Sequence, residues 1–280
     1  TGIMAKHLLI EIIKNISLLT FYIVLIISLS FGEQNEKNNS PYVLSNDLDL
    51  TIATIGSGLL LGSMLIDYKP LSIKDISILN SEIVSKYDSK AIENWSLSSI
   101  KKSDILLYSS IALPGFLLID EKVRRDYYNF SILWAESILL TAGITNIVKV
   151  LVKRPRPYLY GDKASTDYKQ NEDNRKSFFS GHTSISAVSC FLLASMYDDY
   201  NPAGELSPYL WFGAYTIPAL TAYYRYDAGK HFLSDLFVGY IVGRAIGLSV
   251  PKWHKGEGKM NVGVTLRTDG RIKSSFSYRF

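Results

Sequence analysis

Three short stretches of the chain carry side chains that could grip a phosphate group and break its ester bond. They are KVLVKRPRP (149–157), FFSGHTS (178–184) and RYDAGKHFLSD (225–235). Phosphoryl transfer needs positive charge around the phosphate oxygens, a nucleophile and a proton donor for the leaving group. The stretches supply cations, a hydroxyl, a small residue, imidazoles and a carboxylate at Lys149, Arg156, Ser180, Gly181, His182, Arg225, His231 and Asp235.

The first stretch offers two cations that can share one side of a helix end. Lys149 and Arg156 are seven residues apart, which is about two helical turns. Pro157 follows, and the residue before a proline is pushed towards an extended conformation. The planar fork of arginine can bind two phosphate oxygens at once, and lysine adds a point charge. Taken alone, the stretch also fits the basic end of a helix or the flank of a membrane segment.

The second stretch combines a small-residue turn with a histidine. Ser180, Gly181 and His182 precede an apolar run, 183–196, that predicts a helix. Unpaired backbone amides at a helix N-terminus bind anions, and glycine lets the backbone approach a ligand closely. A protonated His182 could give its proton to a leaving alkoxide. Taken alone, the tripeptide also fits an N-cap serine followed by a surface histidine.

The third stretch pairs an imidazole with a carboxylate. His231 and Asp235 are four residues apart and are therefore neighbours on one face of a helix. A carboxylate bonded to one ring nitrogen fixes the tautomer and leaves the other nitrogen free to attack phosphorus. Arg225 precedes His231 across a glycine-containing turn and could reach the same phosphate. Taken alone, the pair also fits a structural His–Asp contact.

In this order and at these spacings, the three stretches resemble the signature of the type 2 phosphatidic acid phosphatase (PAP2) superfamily. That signature reads Lys-x6-Arg-Pro, then Pro-Ser-Gly-His, then Ser-Arg-x5-His-x3-Asp. Two positions depart from it, because Phe179 stands in place of proline and Tyr224 in place of serine. Neither position is charged or nucleophilic, so the departures bear on loop geometry and substrate fit. The resemblance covers roughly residues 131 to 250.

The resemblance implies a role for each matching residue. His231 would be the nucleophile that becomes phosphorylated, and Asp235 would orient it. His182 would protonate the leaving group and later activate the water. The phosphate oxygens would be held by Lys149, Arg156, Ser180, the Gly181 amide and Arg225. The resemblance implies neither a metal nor a cofactor, although vanadium haloperoxidases share the constellation with vanadate in place of phosphate.

Composition limits the other function classes. The chain has 280 residues and a net charge of +4, and it shows no basic stripe with interleaved aromatics of the kind that binds nucleic acid. Its single cysteine, Cys190, excludes an intrachain disulfide and lies in an apolar stretch typical of a core. His7 and His254, in charged or polar ends of the chain, are interpreted as incidental.

Six apolar segments must position the three stretches, and they predict an all-α fold: a six-helix PAP2-type bundle spanning residues 33–255. The segments lie at about 50–66, 105–119, 131–152, 183–196, 209–223 and 236–250. Several are shorter than the ~20 residues of a membrane span, and the mean hydropathy is only +0.09. The pattern therefore leaves open a membrane-embedded enzyme and a soluble periplasmic one.

The two ends of the chain differ from this body. Residues 1–32 place basic residues before an apolar run, 16–31, which predicts a signal peptide or an N-terminal anchor. Residues 256–280 alternate apolar and polar positions around Asp269-Gly270, which predicts a β-hairpin. If all six segments span the membrane from a cytoplasmic N-terminus, the three stretches face outward. They face inward if the first apolar run is cleaved as a signal peptide or spans the membrane as well.

These observations predict a metal-independent phosphatase of a bacterial-type cell envelope, acting on a phosphorylated lipid. We expect the enzyme to lie in the inner membrane with its site facing the periplasm. The observations leave its oligomeric state open. The alternatives are a soluble periplasmic acid phosphatase of broad specificity, a vanadate-dependent haloperoxidase, and a non-catalytic membrane protein that retains an anion-binding fold.

Overall fold

The computed structural model describes residues 40–255 and, beyond them, two strand segments. The predicted signal peptide or anchor over residues 1–32 lies outside the described residues. Within the described part the chain is mainly helical, which confirms the all-α prediction for this part. Its nine α-helices are α1 (Asn46–Leu65), α2 (Ile73–Ser77), α3 (Leu97–Ala112), α4 (Glu121–Arg125), α5 (Tyr127–Val152), α6 (Thr166–Lys169), α7 (Gly181–Tyr200), α8 (Ser207–Asp227) and α9 (Leu233–Trp253).

The six long helices, α1, α3, α5, α7, α8 and α9, overlap the six predicted apolar segments, although the segment 105–119 continues beyond α3 into a 3-10 helix, Leu113–Ile119. Helix α7 is the most enclosed of them, with thirteen of its residues buried, and α3, α5, α8 and α9 pack around it. A buried central helix need not be long or strongly apolar on all faces, because its neighbours cover it. This explains why the 183–196 segment is short for a membrane span.

Small residues bring α9 close to α7 along one face. A Cβ atom at Gly239 would lie only 2.6 Å from the carbonyl oxygen of Ser180, and one at Gly247 only 2.7 Å from that of Val188. Close backbone approach through glycine is a common way for helices to pack tightly. It places the N-terminus of α9 beside the N-terminus of α7, and these two ends carry the second and third stretches.

Four helical regions of the described chain are long and apolar enough to cross a membrane: Asn46–Leu65, Leu97–Ile119, Tyr127–Leu159 and Leu233–Trp253. Large apolar side chains also face outward, among them Leu65, Ile105 and Phe237. Exposed apolar side chains on helices of this length favour contact with lipid or with another apolar partner. We therefore describe the chain as a membrane protein.

Two strand segments follow the helical body along the chain. Strands β1 (Met260–Leu266) and β2 (Ile272–Tyr278) pair antiparallel. The predicted β-hairpin over residues 256–280 as a whole is not supported and stays a prediction.

The interpretation of His254 as an incidental residue of a polar tail is wrong. Its side chain is buried at the end of α9, because it reaches into the body of the bundle.

Candidate active site

The three sequence stretches meet at one end of the bundle. Arg156 follows α5, and its Nη1 lies 3.3 Å from Nε2 of His231, just before α9. The backbone amide of Ser180, at the start of α7, donates to the carbonyl oxygen of Asp235 at 3.0 Å. The structure thus brings together residues that are up to 86 positions apart, counting from Lys149 to Asp235.

The ring of His231 is held by a backbone carbonyl. Its Nδ1 lies 2.7 Å from the oxygen of Ser177. A carbonyl can only accept, so Nδ1 carries the proton and Nε2 presents its lone pair. Burial, followed by the charges of Arg156 and Arg225, holds the pKa of His231 well below its usual range. The imidazole is therefore neutral, as a nucleophile must be.

Asp235 does not make the direct contact with His231 that the four-residue spacing predicts. Its Oδ2 is 3.7 Å from Nδ1, beyond hydrogen-bond distance. That oxygen accepts instead from Ser177 Oγ at 2.5 Å and from the Phe232 amide at 2.9 Å. Because Ser177 also supplies the carbonyl that holds His231, the carboxylate acts on the ring through this serine.

His182 contacts a carboxylate that no motif indicated. Its Nε2 lies 2.8 Å from Oδ1 of Asp104 on α3, and Nη1 of Arg225 lies 4.0 Å from the same oxygen. The His182 side chain is 26 % exposed and that of Asp104 42 %, so the site opens to the outside here. Burial and then Arg225 lower the pKa of His182, and Asp104 opposes them. Asp104 lies 45 residues before the first stretch, which is why sequence spacing missed it.

The two arginines are buried and fixed in different ways. Arg156 donates through Nε to the carbonyl of Asp173 at 2.8 Å and through Nη1 to that of Lys230 at 2.9 Å. Arg225 donates to Ser103 Oγ at 3.4 Å, while its buried Nε has no hydrogen-bond partner among the described residues. A buried guanidinium with an unused donor is ready to receive an anion, since unpaired buried donors are costly.

The N-terminus of α7 provides the remaining phosphate contacts. Ser180 is its N-cap and accepts from the Thr183 amide at 3.4 Å and from Thr183 Oγ1 at 3.0 Å, which leaves the serine proton unused by these contacts. The first helical amides, from Gly181 onward, have no partner within the helix. A Cβ at Gly181 would lie 3.8 Å from Lys149 Nζ, so the lysine faces the same spot.

A supporting ion-pair network links the site to a loop that carries no recognisable motif. Arg154 bonds to Asp235 and, at 2.8 Å, to Asp88, and its guanidinium lies 4.1 Å from the centre of the Phe232 ring. Asp88 in turn accepts from the amide and hydroxyl of Ser234 at 3.0 and 2.7 Å. The network fixes the start of α9. The only sequence feature that could have indicated this network is the position of Arg154 within the first stretch.

Lys230 is a further cation beside the nucleophile that the motifs did not single out. It is 8 % exposed, and its Nζ lies 4.2 Å from the ring centre of Tyr168 and 4.9 Å from that of Tyr158. Burial, followed by Arg156 and Arg225, lowers the pKa of Lys230 to about 6. The only sequence feature that could have indicated a role for Lys230 is its position directly before His231.

Comparison with known families identifies the class. Residues 131–259 match the model of the PAP2 superfamily, and all eight predicted site residues lie inside this range. This region, a little under half of the chain, is therefore similar to the PAP2 superfamily, and the match implies phosphatase-type activity on phosphate esters at the coarse level. Neither the curated proteins nor the solved structures compared with the chain gave a match.

Proposed function

We propose that this protein is a six-helix PAP2-type membrane phosphatase that removes phosphate from a lipid phosphate ester through a phosphohistidine on His231. The observation that carries the proposal is the state of that residue. Its Nδ1 proton is committed to the Ser177 carbonyl, and its Nε2 lone pair points towards the Arg156 guanidinium. A neutral imidazole held in one tautomer beside fixed cations suits nucleophilic attack on a phosphate.

The phosphate would sit between His231 Nε2 and the N-terminus of α7. Arg156, Arg225 and Lys149 would neutralise its oxygens, and Ser180 Oγ with the Gly181 amide would donate to them. These donors are already fixed by the fold, so little reorganisation is needed as charge shifts during transfer. Orthovanadate, which has the charge and shape of the transferring group, should compete with substrate for this place.

In the first step, Nε2 of His231 attacks phosphorus and the phosphorus–oxygen bond to the leaving group breaks. His182 in its protonated form gives its proton to the leaving alkoxide. Burial and then Arg225 lower the pKa of His182 in the free protein, but a bound phosphate offsets the positive charge of Arg225 and raises the pKa again. Because Nε2 is bonded to Asp104, Nδ1 of His182 would be the nitrogen that protonates the leaving group.

In the second step, His182 is neutral and takes a proton from a water molecule. The resulting hydroxide attacks phosphorus, and the phosphorus–nitrogen bond to His231 breaks. Inorganic phosphate leaves, His231 returns to its neutral form, and His182 is again protonated for the next cycle. Asp104 stabilises the charged ring of His182 each time that it forms.

A lipid substrate is favoured by an apolar groove between α8 and α9, the helices that carry Arg225 and Asp235. The groove, of about 390 Å³, lies between α8 and α9 and is lined by Ala219, Ala222, Tyr223, Tyr226, Leu233, Leu236, Phe237 and Tyr240. Tyr226 directly follows Arg225, and Leu236 directly follows Asp235. We infer that the groove takes the hydrocarbon chain while the phosphate enters the site. The four candidate spans count against the soluble alternative.

Release of inorganic phosphate from matched substrates tests the proposal. In detergent, a long-chain lipid phosphate should be hydrolysed with a higher kcat/KM than the same headgroup on a short chain. His231→Ala should abolish both activities, and the exposed Lys86→Ala variant should keep both. Equal kcat/KM for the two substrates would remove the lipid assignment, and activity in His231→Ala would remove the mechanism.

A cysteine placed at Lys86 tests the periplasmic orientation. It should react with a membrane-impermeant thiol reagent in intact cells. A cysteine that reacts only after the cells are lysed would reverse the orientation.

A further inference from the structure

A second cluster of titratable side chains lies away from the proposed reaction. It consists of Asp49 on α1, Glu136 on α5 and His254 at the end of α9, and all three are buried. Glu136 precedes Lys149 on the same helix by thirteen residues, which corresponds to about 20 Å along the axis. The cluster is therefore near the opposite end of the bundle.

With both carboxylates ionised, hydrogen bonds alone do not satisfy this cluster. His254 Nδ1 lies 2.8 Å from the Val250 carbonyl, so that nitrogen carries a proton and Nε2 faces the two carboxylates. Nε2 is 2.8 Å from Asp49 Oδ1 and 3.3 Å from Glu136 Oε2. A neutral ring would point a lone pair at two acceptors. A charged ring has one proton there, and it serves Asp49.

The ionised carboxylate of Glu136 is left without a donor whether His254 is neutral or charged. Its side chain is 2 % exposed, and its Oε2 has no hydrogen-bond partner among the described residues. A buried carboxylate oxygen without a donor is unfavourable, and it is aimed directly at His254 and Asp49. Two carboxylates and a neutral imidazole would be balanced in charge by one divalent cation.

We propose that Asp49, Glu136 and His254 bind a divalent transition-metal cation, best represented by Zn²⁺, that ties α1, α5 and α9 together. The three ligand atoms lie within 4.8 Å of one another, so small shifts of the side-chain ends bring all of them to the ~2.0–2.2 Å of zinc–nitrogen and zinc–oxygen bonds. An imidazole ligand favours zinc over the oxygen-seeking magnesium and calcium.

The surroundings of His254 fit a metal ligand. The bond from Nδ1 to the Val250 carbonyl is the second contact that typically orients a metal-binding histidine. Its own backbone carbonyl accepts from the Val43 amide at 2.7 Å, so the chain before α1 holds the end of α9. The cation would complete this junction between the beginning and the end of the helical body. Its role is structural, and it takes no part in the proposed phosphoryl transfer.

Metal analysis of the whole chain, purified in detergent, tests this proposal. After treatment with a strong chelator and then Zn²⁺ followed by desalting, the wild-type protein should retain about one zinc per chain. Its thermal midpoint should fall by several degrees on chelation and recover with Zn²⁺. Glu136→Gln should lose the zinc and have a low midpoint that Zn²⁺ does not change. Asp126→Asn alters a comparably buried carboxylate outside the cluster and should keep the zinc.

The wild-type measurement stands alone if Glu136→Gln fails to fold. Absence of retained zinc together with a midpoint insensitive to Zn²⁺ would overturn the proposal and leave a proton-sharing triad. Retained zinc that Glu136→Gln also keeps would place the metal elsewhere and equally overturn it. His231→Ala should keep the zinc, so the result is independent of the proposed function.

Discussion

The carbonyl oxygen of Ser177 lies 2.7 Å from Nδ1 of His231, closer than any carboxylate oxygen to this nitrogen. The nearest carboxylate, that of Asp235, is 3.7 Å away and bonds to the Ser177 hydroxyl. The orientation of the proposed nucleophile therefore depends on a loop residue that stands between the histidine and the acid. The His231 ring is therefore positioned by Ser177 and not by direct contact with the carboxylate of Asp235.

Ser177→Ala should lower kcat about tenfold while KM changes little. The substitution removes the hydroxyl bond to Asp235, a bond to a charged group worth about 1.5 kcal/mol or more, and lets the Ser177 carbonyl drift from His231. Steady-state kinetics on one lipid phosphate would measure it. Ser77→Ala, at an exposed hydroxyl outside the site, serves as the control. A Ser177→Ala protein with wild-type kcat would show that the relay through this serine does not matter.

Asp104→Asn should slow the hydrolysis of alkyl phosphates more than that of p-nitrophenyl phosphate. Asp104 raises the pKa of His182 against burial and Arg225, so its loss leaves less of the proton donor. An alkoxide needs that proton and nitrophenolate does not. We expect a loss of about one to two orders of magnitude for the alkyl ester, within the usual range for general acid catalysis. Equal effects on the two substrates would exclude His182 as the proton donor.

The pH dependence of kcat/KM should reflect the neutral state of His231. Its pKa lies well below the usual range because of burial and then Arg156. The activity that depends on neutral His231 is lost as pH falls through that low pKa, so the acid limb should lie well below pH ~6.5. Arg156→Gln removes a positive charge, raises this pKa and should move the limb to higher pH. Arg156→Lys keeps the charge and should not move it. Coincident limbs in the two variants would contradict the assignment.

Arg225→Lys should reduce turnover by about two orders of magnitude, the scale for losing one donor to the transition state. Arg225 is buried, and its Nε, which has no partner in the part of the chain that the structure describes, is a donor that a lysine cannot reproduce. Exposed Arg124→Lys is the matched control. Turnover close to that of the wild type in Arg225→Lys would remove this arginine from the phosphate site.

The sequence predicted the helical class because apolar runs of helical length depend on local spacing, and it singled out the eight site residues through the resemblance of the three stretches to the PAP2 signature. Apolar segments of helical length were readable, and glycines on α9 then bring its start beside Ser180. Asp104, Asp88 and Ser177 could not be predicted, since each reaches the site through packing of distant elements and none stands in a motif. His254 was misread because a polar neighbourhood in sequence hides burial that arises only when α1, α5 and α9 meet.

Rapid-quench labelling tests the central claim most directly. A radioactive phosphate ester is mixed with His182→Ala, which slows the attack of water and so accumulates the intermediate. We predict acid-labile label on His231 when p-nitrophenyl phosphate is the substrate, and no label in the His182→Ala, His231→Ala double variant. Label that persists in the double variant, or that maps to Ser180, would contradict the account.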